Sequence, residues 1–103
     1  MNNKIIVYVG LNDQNSKKQE ISTLDAYKIA SNILVDIIGF GTITEAKGIY
    51  THNDGQIVQE TTLRIEVSNV EIADMQKLAK SLKIAFNQES VAFEVVKSDF
   101  TFI

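Results

Sequence analysis

An α+β fold of element order β-α-β-β-α-β is what this sequence predicts, and three patterns predict it. Two segments carry apolar residues at three- and four-residue spacing, and four carry β-branched or alternating runs. An Asp-Gly turn joins the two middle runs into a hairpin.

The first strand is the run Ile5-Ile6-Val7-Tyr8-Val9, closed by Gly10 and apolar enough for a central place in a sheet. Leu11 to Glu20 is polar and longer than the usual two to six residues between strand and helix. The first helix spans about residues 23–38. Ser22 and Asp25 form a capping box at its start, Gly39 and Gly41 end it, and Leu24, Tyr27, Ala30, Leu34 and Ile37 or Ile38 form its inner stripe, widened by Ile29 and Ile33. Residues 42–50 make a weaker strand diluted by Gly48 and charges, which suits a sheet edge. His52-Asn53-Asp54-Gly55 is the hairpin turn. In the third strand Leu63, Ile65 and Val67 alternate with Thr62, Arg64 and Glu66, so one face is core and the other is wet. The second helix is expected over residues 69–86, capped by Ser68 with Glu71, with Ile72, Met75, Leu78, Ala79, Leu82 and Ala85 or Phe86 turned inward. A fourth strand over residues 91–96 puts Val91, Phe93 and Val95 on one side. Beyond it, Phe100, Phe102 and Ile103 are too apolar for a free tail, so the tail either adds a strand or packs on a neighbouring subunit.

This order reads as the ferredoxin-like split fold: one four-stranded antiparallel sheet, order 4-1-3-2, with both helices on one face. At 103 residues, without proline or a linker, the chain is expected to be a single domain over 1–103. The polar loop after the first strand, the His52 turn and Asn87-Gln88-Glu89 should then meet at one end.

Composition narrows the function classes. A net charge of −3 offers no field to collect nucleic acid or an anionic membrane. The absence of cysteine removes thiolate catalysis, disulfides and cysteine-ligated zinc. Five apolar residues near the start are too few for an export signal or a membrane span, so a cytoplasmic location is expected. No catalytic or metal-ligating constellation stands out, and no cofactor is expected. His52 and Asp54 alone are two ligands in a turn.

The candidate ligand site lies at the polar end. There the start of the first helix, Lys17, Lys18 and His52 would attract an anion, while Asn12, Asp13 and Asp54 add hydrogen bonds; Glu20 and Asp25 oppose the charge. His52 is the sole histidine and the sole side chain that titrates near neutrality, yet no nucleophile neighbours it in sequence. Glu45, Glu60, Glu66 and Glu94 are expected on the open sheet face, paired with Arg64 and lysines.

Val7-Tyr8-Val9-Gly10-Leu11-Asn12 resembles the first ribonucleoprotein motif of an RNA-recognition motif. Its last two residues are in reversed order, Glu60 to Val67 lacks the second motif's aromatics, and the chain is acidic, so RNA binding is rejected. Gly48 to Gly55 with Ile57, Val58, Glu60 and Leu63, together with Phe86-Asn87-Gln88-Glu89-Ser90-Val91, resembles a family of small uncharacterised bacterial domains. That resemblance implies a ferredoxin-like fold and brings no activity or catalytic residue with it.

A small binding or assembly module, homodimeric or bound to a protein partner, is therefore favoured over an enzyme, with Tyr8, Arg64, Phe100 and Phe102 as its interface. The alternatives are a small-molecule protein or enzyme with an anionic ligand at the polar end, and a phage or mobile-element inhibitor of a host protein.

Overall fold

The computed structural model describes residues 2–51 and 53–103. The elements run β1 (Asn3–Gly10), α1 (Thr23–Ile37), β2 (Thr42–Thr51), β3 (Ile57–Ser68), α2 (Ile72–Ala85) and β4 (Ala92–Lys97). They form one antiparallel sheet of order β2-β3-β1-β4, so the expected ferredoxin-like arrangement is the one found.

Register places the core. Ile5, Val7 and Val9 lie opposite Val67, Ile65 and Leu63, and all six are buried. On the same face pack Ala26, Ala30 and Leu34 of α1 and Met75, Leu78, Ala79 and Leu82 of α2. The other face carries Lys4, Tyr8, Arg64 and Glu66. Arg64 Nη2 lies 3.1 Å from Glu66 Oε1, and Lys4 Nζ lies 3.5 Å from the same oxygen. The Arg64 guanidinium sits 5.9 Å from the Tyr8 ring centroid, so two of the four predicted interface residues hold each other.

Four expectations are corrected. Ser22 does cap α1, its Oγ accepting from Asp25 N at 3.2 Å, but the inner stripe is rotated towards Ala26 and the isoleucines. Leu24 is 64% and Tyr27 48% exposed, and the buried face of α1 is Ala26, Ala30 and Leu34 instead. At α2, Ser68 caps nothing. It is held as the last residue of β3 opposite Lys4, and α2 starts only at Ile72, with Glu71 as an N-cap that makes no side-chain cap bond. Asn3 pins the intervening turn: its Oδ1 accepts from Val70 N at 3.1 Å and its Nδ2 donates to Val70 O at 2.8 Å. Glu45 pairs with Leu63 in register and therefore lies on the helix side of the sheet, not the open face. Finally, the tail after Lys97 adds no strand. Ser98 N donates to Asn2 O at 3.1 Å, and beyond it Phe100 and Phe102 stack edge to face at 5.1 Å, with Phe102 86% exposed.

The cap and the core give one quantitative test. Ser22→Ala leaves an α1 amide unsatisfied and should cost about 1 kcal/mol. Leu78→Ala opens a cavity at a fully buried site and should cost about 2–5 kcal/mol. Urea denaturation checks both, and equal costs would contradict this view of the core.

Candidate functional site

The chain reverses so that the β1–α1 loop, the β2–β3 hairpin and the α2–β4 connection share one end. Between them lies a cleft of ≈ 780 Å³, within the range of about 300–1,000 Å³ usual for small-molecule sites. Asn12, Asp13, Gln14 and Lys17 line one side, and Tyr50, Asp54, Gln56, Val58 and Glu60 line the hairpin side. Gln88, Glu89 and Ser90 complete it.

One wall is tightly built. The Asp13 carboxylate accepts from Asn15 N at 2.8 Å and Ser16 N at 3.0 Å through one oxygen, and from Asn87 Nδ2 at 2.9 Å through the other. Gln14 returns the contact: its N donates to Asn87 O at 3.0 Å and its Nε2 to Asn87 Oδ1 at 2.9 Å. Asn87 and Lys17 both adopt left-handed backbone conformations, at φ 47° and 65°. These bonds join the loop to the end of α2. They also hold the Asp13 carboxyl below the usual carboxylate range, with the Asn87 amide the largest cause, the Ser16 and Asn15 amides next, and Lys17 adding a smaller attraction.

The opposite wall depends on an absent side chain. Glu60 Oε2 accepts from Asn12 N at 3.1 Å, and its carboxylate lies over Gly10, where a Cβ would come within 2.5 Å of it. Glycine at position 10 is thus what lets an acid sit on the β1 backbone. At the hairpin tip Gly55 takes φ 84°, as the Asp-Gly pair demands, and Asp54 Oδ1 accepts from Gln56 N at 2.9 Å.

Of the residues singled out in the sequence, Asn12, Asp13, Lys17 and Asp54 come together in this cleft, whereas Lys18 does not line it and His52 lies outside the described residues. Neither Ser22 nor Thr23 lines it either. Sequence reasoning missed Tyr50, Val58 and Glu60 as cleft residues, and it brought Gln88 and Glu89 to this end without naming them in the site. The signal for Glu60 was the pair of glycines, Gly10 and Gly48, that flank it on neighbouring strands, which becomes readable only once register is known. Among the described lining residues four carboxylates, Asp13, Asp54, Glu60 and Glu89, face one lysine, Lys17, a balance that favours a cationic ligand over an anionic one. No group of three or more His, Asp or Glu among the described residues is placed to hold a metal ion. No described helix is long and apolar enough to cross a membrane.

No protein-family model matches the chain, and no curated protein matches it. Solved structures do. A phage SAM lyase bound to S-methyl-5'-thioadenosine is 26% identical, with a TM-score of 0.69, over 92% of this chain and 80% of that one. A phage SAM lyase in its apo state is 27% identical at a TM-score of 0.67, over 92% and 79%. The divalent ion tolerance protein CutA1 from Ehrlichia chaffeensis, 18% identical over 99% and 87%, shares the fold at a TM-score of 0.57. A DUF3240 family protein from Shewanella baltica, 8% identical over 100% and 99%, does so at 0.57.

Asp13 supplies a pH test. Its lowered folded pKa stabilises the fold fully above its unfolded value, near 3.8, and that stabilisation is lost as pH falls through the folded value. The stability difference between the wild type and Asp13→Asn, measured by urea unfolding from pH 6 to pH 2, should therefore shrink below about pH 4. A difference that stays constant would show that the carboxylate charge is irrelevant.

Proposed function

We propose that the polar-end cleft binds S-adenosylmethionine and that the chain cleaves it, as a small lyase. The observation that supports this reading is the 26–27% identity to a phage SAM lyase over 92% of the chain, joined to a cleft whose charge suits a sulfonium cation. The reading departs from the assembly module favoured by sequence alone and takes up its alternative, an enzyme at the polar end, with a cation in place of the anionic ligand expected there.

The lining residues divide the work by chemistry. Tyr50 and Val58 offer an aromatic and an apolar surface to the adenine ring, while Glu60 and its neighbouring carboxylates face the positive sulfur. Cleavage breaks the bond between sulfur and the four-carbon amino acid fragment. Both electrons return to sulfur, which leaves as the neutral thioether S-methyl-5'-thioadenosine. A lyase adds no water, so the fragment either closes on its own carboxylate as a lactone or loses a neighbouring proton to become an alkene. In the first course Glu60 orients the sulfonium; in the second it takes the proton.

Incubation with S-adenosylmethionine followed by mass spectrometry tests the activity and separates the two courses. S-methyl-5'-thioadenosine should accumulate, and Glu60→Gln should lower turnover by roughly 10²-fold. Gly10→Ala, which displaces the same carboxylate, should lower it too. In a thermal-shift assay a ligand at a hundredfold its Kd adds about 2.7 kcal/mol of stability. A protein that neither shifts nor forms product is not a lyase of this kind.

Self-association is a second proposal, supported by apolar groups the fold leaves open. Phe102 is 86% and Phe100 43% exposed. We place a second copy against the open sheet face and tail, around Tyr8, Arg64, Phe100 and Phe102. Light scattering should show an oligomer that Phe100→Ser with Phe102→Ser dissociates; a monomeric wild type would end the idea.

A further inference from the structure

Beyond Gly10 the peptide groups of Asn12 lose their partners in the sheet. The β1–β3 ladder is carried one step further by Leu11 N donating to Thr61 O at 3.0 Å, and the bridge between Asn12 and Gln19 is closed by Asp13 N donating to Lys18 O at 2.8 Å. On the other side β4 begins only at Ala92, opposite Tyr8. Two side chains take what backbone leaves. Gln88 Nε2 donates to Asn12 O at 2.7 Å, the shortest bond that the α2–β4 connection makes to the loop, and Asn12 N donates to Glu60 Oε2 at 3.1 Å.

Gln88 is itself fixed. Its backbone N donates to Lys83 O at 2.9 Å, and its side-chain nitrogen also reaches Phe86 O at 3.1 Å, beside a Phe86 ring buried in the core. A rigid path therefore runs from the core, through the end of α2, to the Asn12 backbone and on to a carboxylate in the cleft. The O and N of Asn12 belong to different peptide units, so the path works by geometry and not by polarising a single amide.

We propose that Gln88 is a positioning residue: by holding the Asn12 backbone it aims the Glu60 carboxylate at the reacting sulfur. This rests on the reading of the cleft as an S-adenosylmethionine lyase site. Gln88 makes no chemical contribution of its own, and its effect passes wholly through Glu60. A carboxylate held on a glycine backbone by one amide is sensitive to any shift of that amide, and misplacement by about 1 Å can cost up to about 10²-fold in rate.

The test is a double-mutant cycle on the full chain, with S-adenosylmethionine as substrate and S-methyl-5'-thioadenosine as the measured product. Gln88→Met keeps length and removes the donor; Gln88→Asn keeps the amide but is too short to reach, and serves if the first variant fails to fold. Either should lower kcat by about tenfold or more while KM changes little. In a Glu60→Gln background the same substitution should change turnover by less than about twofold. Full activity in both variants, or an equal loss with and without Glu60, overturns the proposal. Amide hydrogen exchange at Asn12 separates this from failure of the lyase reading. If the wild type makes no product, faster Asn12 exchange in Gln88→Met still supports the positioning path, and unchanged exchange overturns it.

Discussion

Pairing of β1 with β3 is the constraint on which the molecule depends. It sets Ile5, Val7 and Val9 against Val67, Ile65 and Leu63 on one face, and both helices lie on that face because their apolar residues have nowhere else to go. A slip of β1 by one residue would carry Lys4 and Tyr8 into the core in place of Ile5, Val7 and Val9, at a cost no hydrophobic gain could offset. The same register brings Glu60 beside Gly10 and Asn12, so the core and the cleft are two results of one pairing.

The cleft forms where that pairing stops. Backbone groups released at the end of β1 must be satisfied, and Gln88 from the α2–β4 connection and Glu60 of β3 satisfy those of Asn12. Polar residues gather at this end because the topology returns three connections to it. Their charge follows from the lining alone: four carboxylates around one lysine make this end acidic, although the chain as a whole carries only −3.

Much of the fold was legible in the sequence. The alternation in β3, the Ser22 cap and the Asp-Gly turn each have a local cause, and each is where it was expected. What failed had a tertiary cause. Ser68 reads as a helix cap but is claimed by its pairing with Lys4, and Leu24 reads as core but lies outside the face of α1 that Ala26, Ala30 and Leu34 bury. At the site, Asn12, Asp13, Lys17 and Asp54 were legible because they crowd short polar loops. The bonds of Glu60 and Gln88 were not, since the partner they share, Asn12, lies 48 and 76 positions away in the chain.

The two walls of the cleft differ mechanically. One is laced to α2 through Asp13, Gln14 and Asn87, whereas the other is a two-stranded ribbon that, past Lys47 and Thr61, has no third strand beside it. A ribbon of that kind bends more readily than a laced loop. The molecule is thus built like a vice with one fixed jaw and one compliant jaw, and adjustment to a guest falls to Tyr50, Asp54 and Val58 while the anvil stays still.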